Sequence, residues 1–311
     1  MKNADTMANK VARYLSHRHS LGYELKSQGK ALNDFARYAD TVGHRGPLTL
    51  ALALEWARLP AQADPGYWAR RLDTVRGLAK YLVLENPKTE VPPIRMLGPG
   101  CRRKTPHIYS PQEITSLLKK ARRLSNGKGL QPLTIHTIIG LLASTGMRIS
   151  EVLRLRIDDV DLKNHVITVR ESKFHKSRLI PLHATVAAKL SLYHKTRHGE
   201  FPYADTFFTS QRGAPFSYAT IQRAFRELID GIPCRGDRPR PRIHDLRHSY
   251  ACRILTGWSK KPVILDQRVL WLMHYLGHTH ISHTYWYLSA VPELLANVAA
   301  HFEKHSKQFI S

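Results

Sequence analysis

The sequence is poor in acidic residues, and it has no long apolar run. Asp and Glu total 24 against 48 Lys and Arg, which gives a formal net charge of +24 at pH 7. A protein with such an excess repels itself unless a polyanion compensates it, so the expected partner is nucleic acid. An anionic membrane is the alternative, but no apolar run approaches the ~20 residues of a spanning helix, and the N-terminus lacks a signal peptide's apolar core.

Cysteine is also scarce. The three cysteines, Cys101, Cys234 and Cys252, are odd in number, lie far apart and form no CxxC pair. This pattern excludes a disulfide framework and a zinc ribbon, and it indicates a reducing, cytoplasmic compartment. There are no internal repeats or low-complexity tracts. With 311 residues, of which 42% are hydrophobic, the chain is long enough for two folded domains.

The first 92 residues have the periodicity of a helical bundle. Apolar residues at intervals of three and four predict four helices, over 7–20, 27–42 and 49–59 and after Asp64-Pro65. The next segment, 93–107, combines proline and glycine with the basic cluster Arg102-Arg103-Lys104. It is predicted to be a stiff, positively charged linker.

Residues 108–311 predict a second domain, mainly helical. It begins with a capping box from Ser110 to Glu113, with Pro111 at the first helical position. An alternating pattern predicts two antiparallel strands, His165–Arg170 and Arg178–Leu182. Further helices are predicted over 131–144, 217–230, 244–256, 266–276, 280–286 and 291–304. The fold class is therefore mainly α, with two domains and a small antiparallel β-sheet in the second.

Arg148 is the first candidate site residue. An apolar helix stops at Gly146, Arg148 follows, and Ser150 is expected to cap the next helix. This junction would let the guanidinium of Arg148 project into a site, where Glu151, one turn further, would pair with it or orient a neighbour. Taken alone, an arginine at a helix start is more often an ordinary surface residue.

Two further stretches carry groups suited to phosphodiester chemistry. Lys173 lies at the turn between the two strands, where its ammonium could enter a minor groove and protonate a leaving oxygen; Lys176 is the competing candidate. His244 and Arg247 lie three residues apart at a helix start, so they face the same way. An arginine forks onto two phosphate oxygens, and a histidine exchanges protons near neutral pH.

The last stretch runs from Leu276-Gly277-His278 to Tyr287, nine residues after the histidine. Taken alone, the Tyr285-Trp286-Tyr287 cluster is more often core packing. His278, His280 and His283 raise the alternative of a metal site, but no nearby carboxylate or cysteine completes a ligand shell. We therefore expect neither a metal nor another cofactor.

The candidate residues follow one another along the chain as Arg, Lys, His-x-x-Arg, Leu-Gly-His and Tyr. This ordered set resembles one family, the tyrosine recombinases or phage-type integrases. The matching residues are Thr145-Gly-Met-Arg-Ile-Ser-Glu-Val152, Arg178-Leu-Ile-Pro-Leu182, His244-Asp-Leu-Arg-His248, and Leu276-Gly-His278 followed by Tyr287. The resemblance covers about 107–300. It extends less specifically to the N-terminal region, which resembles the family's core-binding domain. It implies a two-domain clamp around DNA.

The resemblance implies a role for each candidate. Tyr287 would attack the scissile phosphorus and form a 3′-phosphotyrosyl link, and its spacing from His278 favours it over Tyr285. Arg148 and Arg247 would grip the non-bridging oxygens. Lys173 would protonate the leaving 5′-oxygen, His244 would assist removal of the tyrosine proton, and His278 would donate a hydrogen bond to the phosphate.

The family also implies partners and a location. The expected partner is double-stranded DNA, bound by a dimer at each site and a tetramer on synapsed DNA, in the cytoplasm and nucleoid of a prokaryote. The terminal helix would dock on its own domain or on a neighbouring protomer. Integration, excision, inversion, transposition and resolution stay open. The alternatives are a non-cutting DNA-binding protein with this fold, a type IB topoisomerase-like enzyme, and a metal-dependent nuclease or phosphohydrolase.

Overall fold

The computed structural model describes residues 6–100, 105–124, 129–170, 177–234, 240–259 and 265–277. The chain divides into two compact units, Met1–Arg103 and Lys104–Ser311. The division falls within the segment 93–107, for which a linker was predicted. Among the described residues, none of the helices combines the length and apolar character needed to cross a membrane.

The N-terminal unit is a four-helix bundle, as predicted. Its helices are α1 (Met7–Ser20), α2 (Lys26–Thr41), α3 (Leu50–Arg58) and α4 (Pro65–Leu82). Threonine side chains cap two of them: Thr6 accepts the N–H of Asn9, and Thr49 accepts that of Leu52. The core is centred on Trp56, which is fully buried and packs edge-to-face on Phe35 with ring centroids 5.3 Å apart.

The C-terminal unit is mainly helical with a small sheet, which confirms the predicted fold class. Its helices and strands are α5 (Pro111–Arg122), α6 (Gln131–Thr145), α7 (Ile149–Leu153), β1 (Val160–Asp161), β2 (Val166–Val169), β3 (Arg178–Pro181), α8 (Ala184–Glu200), α9 (Tyr218–Leu228), α10 (Asp245–Ser259) and α11 (Leu265–Leu276). The sheet is antiparallel in the order β1-β2-β3, and Thr168 pairs with Leu179. The predicted capping box is present: Ser110 and Glu113 each accept the other's backbone N–H.

Two elements of this unit were not predicted. Helix α8 buries Arg197 completely, on the same face as Leu190 and Tyr193. A charged residue at a core position interrupts the apolar periodicity on which helix prediction depends. Strand β1 has only two residues, too few for an alternating pattern. The helices predicted over 280–286 and 291–304 lie outside the described residues.

Helix α6 forms the centre of the C-terminal unit and leads to the candidate site. It has buried residues on every side and packs against α5, α8 and α10. It ends at Gly146, whose φ of +64° is left-handed. A Cβ on Gly146 would lie 2.5 Å from Cδ1 of Tyr250. Only glycine therefore fits this turn, which aims the next residues toward α10 and α11.

Candidate active site

Arg148 occupies the N-cap position of α7, directly after the Gly146 turn. The helix begins at Ile149, and the carboxylate of Glu151 accepts the backbone N–H of Arg148 at 2.9 Å. The expectation that Ser150 caps this helix was wrong, because the helix begins at Ile149 and Ser150 therefore lies inside its first turn. The expected pairing of Glu151 with Arg148 is present, with Nη1 to Oε1 at 2.8 Å.

Glu151 is a buried carboxylate shared by two arginines. Its side chain is 2% exposed, and it also accepts from Arg178, with Nη2 to Oε2 at 2.8 Å and Nη1 to Oε1 at 3.1 Å. Burial alone would raise the pKa of Glu151. The hydrogen bonds and charge of Arg178, with the hydrogen bonds from Arg148, outweigh it and lower the pKa to about 2. Glu151 is therefore ionised at neutral pH and fixes both guanidinium groups.

Arg178 is a residue of this site that the sequence did not single out. The sequence placed it at the start of the second strand and in a stretch that resembles the family, without a role of its own, yet its side chain is 11% exposed and forks onto Glu151. Its Nε also donates to the carbonyl of Tyr275 at 2.8 Å. The sequence feature that could have identified Arg178 as a site residue is its place in the stretch 178–182, which resembles the family.

Arg247 is held by main-chain carbonyl groups. On α10, it donates from Nη1 to the carbonyl of Gly146 at 2.8 Å and from Nη2 to that of Leu276 at 2.5 Å. It is almost entirely buried, whereas 22% of the Arg148 side chain is exposed. These bonds tie the start of α10 to the end of α6 and the end of α11.

His244 precedes α10 and stands among cationic groups. Its ring is solvent-accessible, although protein atoms crowd around it, and it meets the His248 ring edge-on at 4.9 Å between centroids. Desolvation by those atoms, together with the charges of Arg247 and Arg242, lowers the pKa of His244 to about 4. The imidazole is therefore neutral at neutral pH and keeps a nitrogen able to accept a proton.

A groove of about 440 Å³ opens beside His244, between α9 and the segment leading into α10. Three arginines contribute to its lining, together with aromatic and aliphatic side chains. They are Arg226, Arg240 and Arg242. A groove that three arginines and a histidine help to line suits a phosphate-rich chain.

The turn at Gly277 is where these parts meet. Arg148 donates from Nη2 to the carbonyl of Gly277 at 2.8 Å, and Arg247 bonds to the preceding carbonyl. Gly277 has a φ of +66°, and a Cβ there would lie 3.0 Å from Nη1 of Arg178 and 3.4 Å from Nη1 of Arg148. The absence of a side chain at this turn therefore lets both arginines approach the end of α11.

Three of the six predicted site residues, Arg148, His244 and Arg247, are brought together by this geometry. The other three, Lys173, His278 and Tyr287, lie outside the described residues, as do the competing Lys176 and Tyr285. The histidines weighed as metal ligands, His278, His280 and His283, lie outside them too. Within the part of the chain that is described, no three His, Cys, Asp or Glu side chains are placed to hold a metal ion.

The fold agrees with the comparisons to known proteins. The family model described as the phage integrase family matches residues 109–293. A Sinorhizobium fredii protein named as an integrase/recombinase, y4rB, is 36% identical over 310 residues, which cover 96% of this chain and 98% of the relative. The chain therefore belongs to the phage integrase family, the tyrosine recombinases.

More distant relatives share the same architecture. A tyrosine recombinase XerD of Caulobacter vibrioides is 28% identical over 281 residues, 88% of each chain. The chain superposes on XerH recombinase bound to its difH substrate with a TM-score of 0.71 at 16% identity, covering 97% of this chain and 98% of XerH. The Tn1549 transposon integrase bound to transposon-end DNA gives 0.69 at 18% identity, with 97% and 99% coverage. At these identities the two structures establish the fold.

Proposed function

We propose that this protein is a site-specific recombinase that cleaves and rejoins double-stranded DNA through a covalent link between Tyr287 and a 3′-phosphate. The observation that carries the proposal is the bonding of Arg148 and Arg247 to the carbonyls of Gly277 and Leu276, shortly before Tyr287 in the sequence, with His244 close enough for its pKa to respond to both charges. Membership of the tyrosine recombinases supports it, as do the DNA complexes of XerH and the Tn1549 integrase.

Cleavage is an in-line displacement at phosphorus. The Tyr287 oxygen forms a bond to the scissile phosphorus, the bond to the 5′-oxygen breaks, and that oxygen leaves as a hydroxyl after taking a proton from Lys173. Arg148 and Arg247 donate N–H groups to the non-bridging oxygens and stabilise the charge that develops there. Their fixed positions mean that little reorganisation is needed in the transition state.

His244 is suited to accept the Tyr287 proton. Its lowered pKa, about 4, leaves the ring neutral in the free protein at neutral pH. A neutral imidazole accepts a proton, whereas an imidazolium cannot. His278, which follows the Gly277 turn directly, donates a hydrogen bond to the phosphate. This step conserves the energy of the broken bond in the phosphotyrosyl link, so rejoining requires neither ATP nor a metal ion.

The charge of the chain supports a polyanionic partner. At +24, the protein gains affinity for DNA of any sequence, and that affinity falls steeply as salt rises because bound counterions are released. Strand exchange requires two cut sites, so we propose a dimer at each site and a tetramer on synapsed DNA, in the cytoplasm and nucleoid of a prokaryote.

The test is a covalent-adduct assay on a nicked suicide substrate in EDTA, after a cognate site has been selected from genomic fragments. Wild-type protein, Tyr287→Phe and Tyr285→Phe are compared for adducts that survive SDS. We expect loss only in Tyr287→Phe. Loss only in Tyr285→Phe would move the nucleophile by two residues. A wild-type protein that binds the substrate and forms no adduct would contradict the proposal and favour a non-cutting DNA-binding protein.

Two arginine variants test the roles at the phosphate. Arg148→Ala and Arg247→Ala should each cut about 10²–10³-fold more slowly, by analogy with the loss of one oxyanion donor. DNA binding should be nearly unchanged, because one charge is a small part of the total. A folded variant that loses binding altogether would show that the arginine acts in affinity instead.

A further inference from the structure

We propose that Arg178 is a positioning residue for the cleavage reaction, one that sets the active-site geometry through Glu151 and the end of α11. This inference rests on the proposed function. Arg178 begins β3, a few residues after Lys173 in the sequence. Its side chain is 11% exposed, and each of its three nitrogens donates a hydrogen bond within the site.

The first step is the fork onto Glu151. Nη1 and Nη2 of Arg178 bond to Oε1 and Oε2 of Glu151 at 3.1 and 2.8 Å, which fixes the plane of the carboxylate. The same two oxygens accept from Arg148, Oε1 from Nη1 at 2.8 Å and Oε2 from the backbone N–H at 2.9 Å. The orientation of the Arg148 guanidinium therefore depends on Arg178, because one carboxylate links the two.

The second step closes a ring of hydrogen bonds across three segments. Nε of Arg178 bonds to the carbonyl of Tyr275, while Nη2 of Arg148 bonds to that of Gly277, each at 2.8 Å. Glu151 joins the two arginines on the opposite side. The ring fixes the end of α11, just before His278 in the sequence, and the start of β3, a few residues after Lys173 in the sequence. Arg178 thus joins three segments, the start of α7, the start of β3 and the end of α11. In the sequence these segments contain or adjoin Arg148, Lys173 and His278.

The third step is the charge balance. Glu151 is the carboxylate between two guanidinium groups, so the trio keeps a net charge of +1 when the pKa of Glu151 is held at about 2. If Arg178 were lost, Glu151 would pair with Arg148 alone, and the pair would be neutral. Arg148 would then offer less positive charge to a phosphate. Arg178 supports the phosphate clamp through both position and charge.

Lysine and arginine differ at this position in a way that can be measured. Arg178→Lys keeps the charge but cannot form the planar fork together with the third bond to Tyr275. Arg178→Met removes both. The matched control is Arg156→Met on the same unit, which loses an arginine that is 64% exposed and paired at 3.4 Å with the exposed Asp205.

The experiment measures the first-order rate of adduct formation at saturating protein, together with the Kd for the same DNA. Arg178→Lys and Arg178→Met should cut about 100-fold more slowly than wild type, the cost expected when a reacting group is displaced by about 1 Å. Their Kd should stay within about threefold of wild type. Arg156→Met should cut at the wild-type rate.

Combination with Arg148→Ala separates positioning from independent action. If Arg178 acts through Arg148, adding Arg178→Lys to Arg148→Ala should slow cleavage by much less than the effect of Arg178→Lys alone. Equal slowing in both backgrounds would overturn the inference, as would wild-type cleavage by Arg178→Lys or a loss confined to Kd. If wild type forms no adduct on DNA that it binds, the proposed function fails and this inference fails with it.

Discussion

The two arginines proposed to grip the same phosphate are held in different ways. Arg148 relies on one buried side chain for two of its bonds, since Glu151 accepts from both its guanidinium and its backbone N–H, and on the Gly277 carbonyl for a third. Arg247 donates to two main-chain carbonyls, those of Gly146 and Leu276. A carbonyl neither titrates nor disappears on substitution, whereas a carboxylate does both. The position of Arg148 is therefore sensitive to acid and to mutation at Glu151.

The largest expected effect comes from removing that carboxylate. Glu151→Ala leaves Arg148 and Arg178 facing each other without an anion, and breaking a buried ion pair in this way costs about 3–5 kcal/mol. Chemical denaturation of wild type and variant measures the difference. Glu200→Ala, an exposed site on α8, is the control and should stay within about 0.5 kcal/mol. A loss below about 1 kcal/mol for Glu151→Ala would mean that the two arginines are held well without it.

Acid should weaken the bonds that ionised Glu151 makes to Arg148 and Arg178. The pKa of Glu151 is lowered from 4.5 to about 2 in the folded protein. Its contribution to stability is therefore complete above pH 4.5 and is lost as the pH falls toward 2, for a total on the order of 3 kcal/mol. Denaturation midpoints are to be compared for wild type and Glu151→Gln between about pH 6 and about pH 3. The difference in denaturation midpoint between wild type and Glu151→Gln should become smaller in acid. A difference that does not change with pH would contradict the lowered pKa of Glu151.

Two glycines test the two arginine supports separately. Gly146→Ala and Gly277→Ala both force a Cβ into left-handed backbone, at φ of +64° and +66°, which costs about 1–3 kcal/mol. Gly146→Ala should be the worse for stability, because its Cβ would meet the Tyr250 ring at 2.5 Å. Gly277→Ala should instead slow cleavage even under conditions where the variant remains folded, because its Cβ would press on Arg178 and Arg148.

Gly199→Ala is the matched control for both glycines. Gly199 lies in α8, and an added Cβ there would meet no atom within 4 Å. Alanine in an open helical position should stabilise by up to about 1 kcal/mol. Thermal unfolding and the adduct assay on all three variants supply the measurement. If Gly277→Ala cut as fast as Gly199→Ala, the close approach at the end of α11 would have no bearing on catalysis.

The sequence predicted the local features of the site and missed the long-range ones. The helix stop at Gly146 and the pairing of Glu151 with Arg148 were predicted because they involve residues within one turn of each other. The role of Arg178 was missed because its partner lies 27 residues away, across the hairpin. The support of Arg247 was equally hidden, since its acceptors are backbone carbonyls, which every residue carries.

The same distinction explains the fold. Regular apolar periodicity predicted the first three helices of the N-terminal bundle to within about one residue at each end, and the start of the fourth. It failed for α8, where the buried Arg197 donates to the carbonyls of Ala204 and Thr206 and so occupies a position that the pattern reserves for an apolar side chain. A guanidinium that donates to backbone carbonyls beyond its own helix can lie in a core, but this cannot be recognised from neighbouring residues in the helix alone.

The last prediction concerns His244, whose pKa responds to the charges of both arginines. Its pKa is lowered to about 4, so it should titrate well below the ordinary value of 6.5 when followed by NMR. The folded state then disfavours the proton, and its stability should decline as the pH falls from 6.5 toward 4. Arg242→Met removes one neighbouring cation and should raise the midpoint. An oxyanion bound between Arg148 and Arg247 should raise it further, by screening both charges. Orthovanadate or DNA could instead bind at this site and leave the titration midpoint of His244 unchanged. His244 would then not sense the charges of Arg148 and Arg247, and its proposed role in accepting the Tyr287 proton would fail.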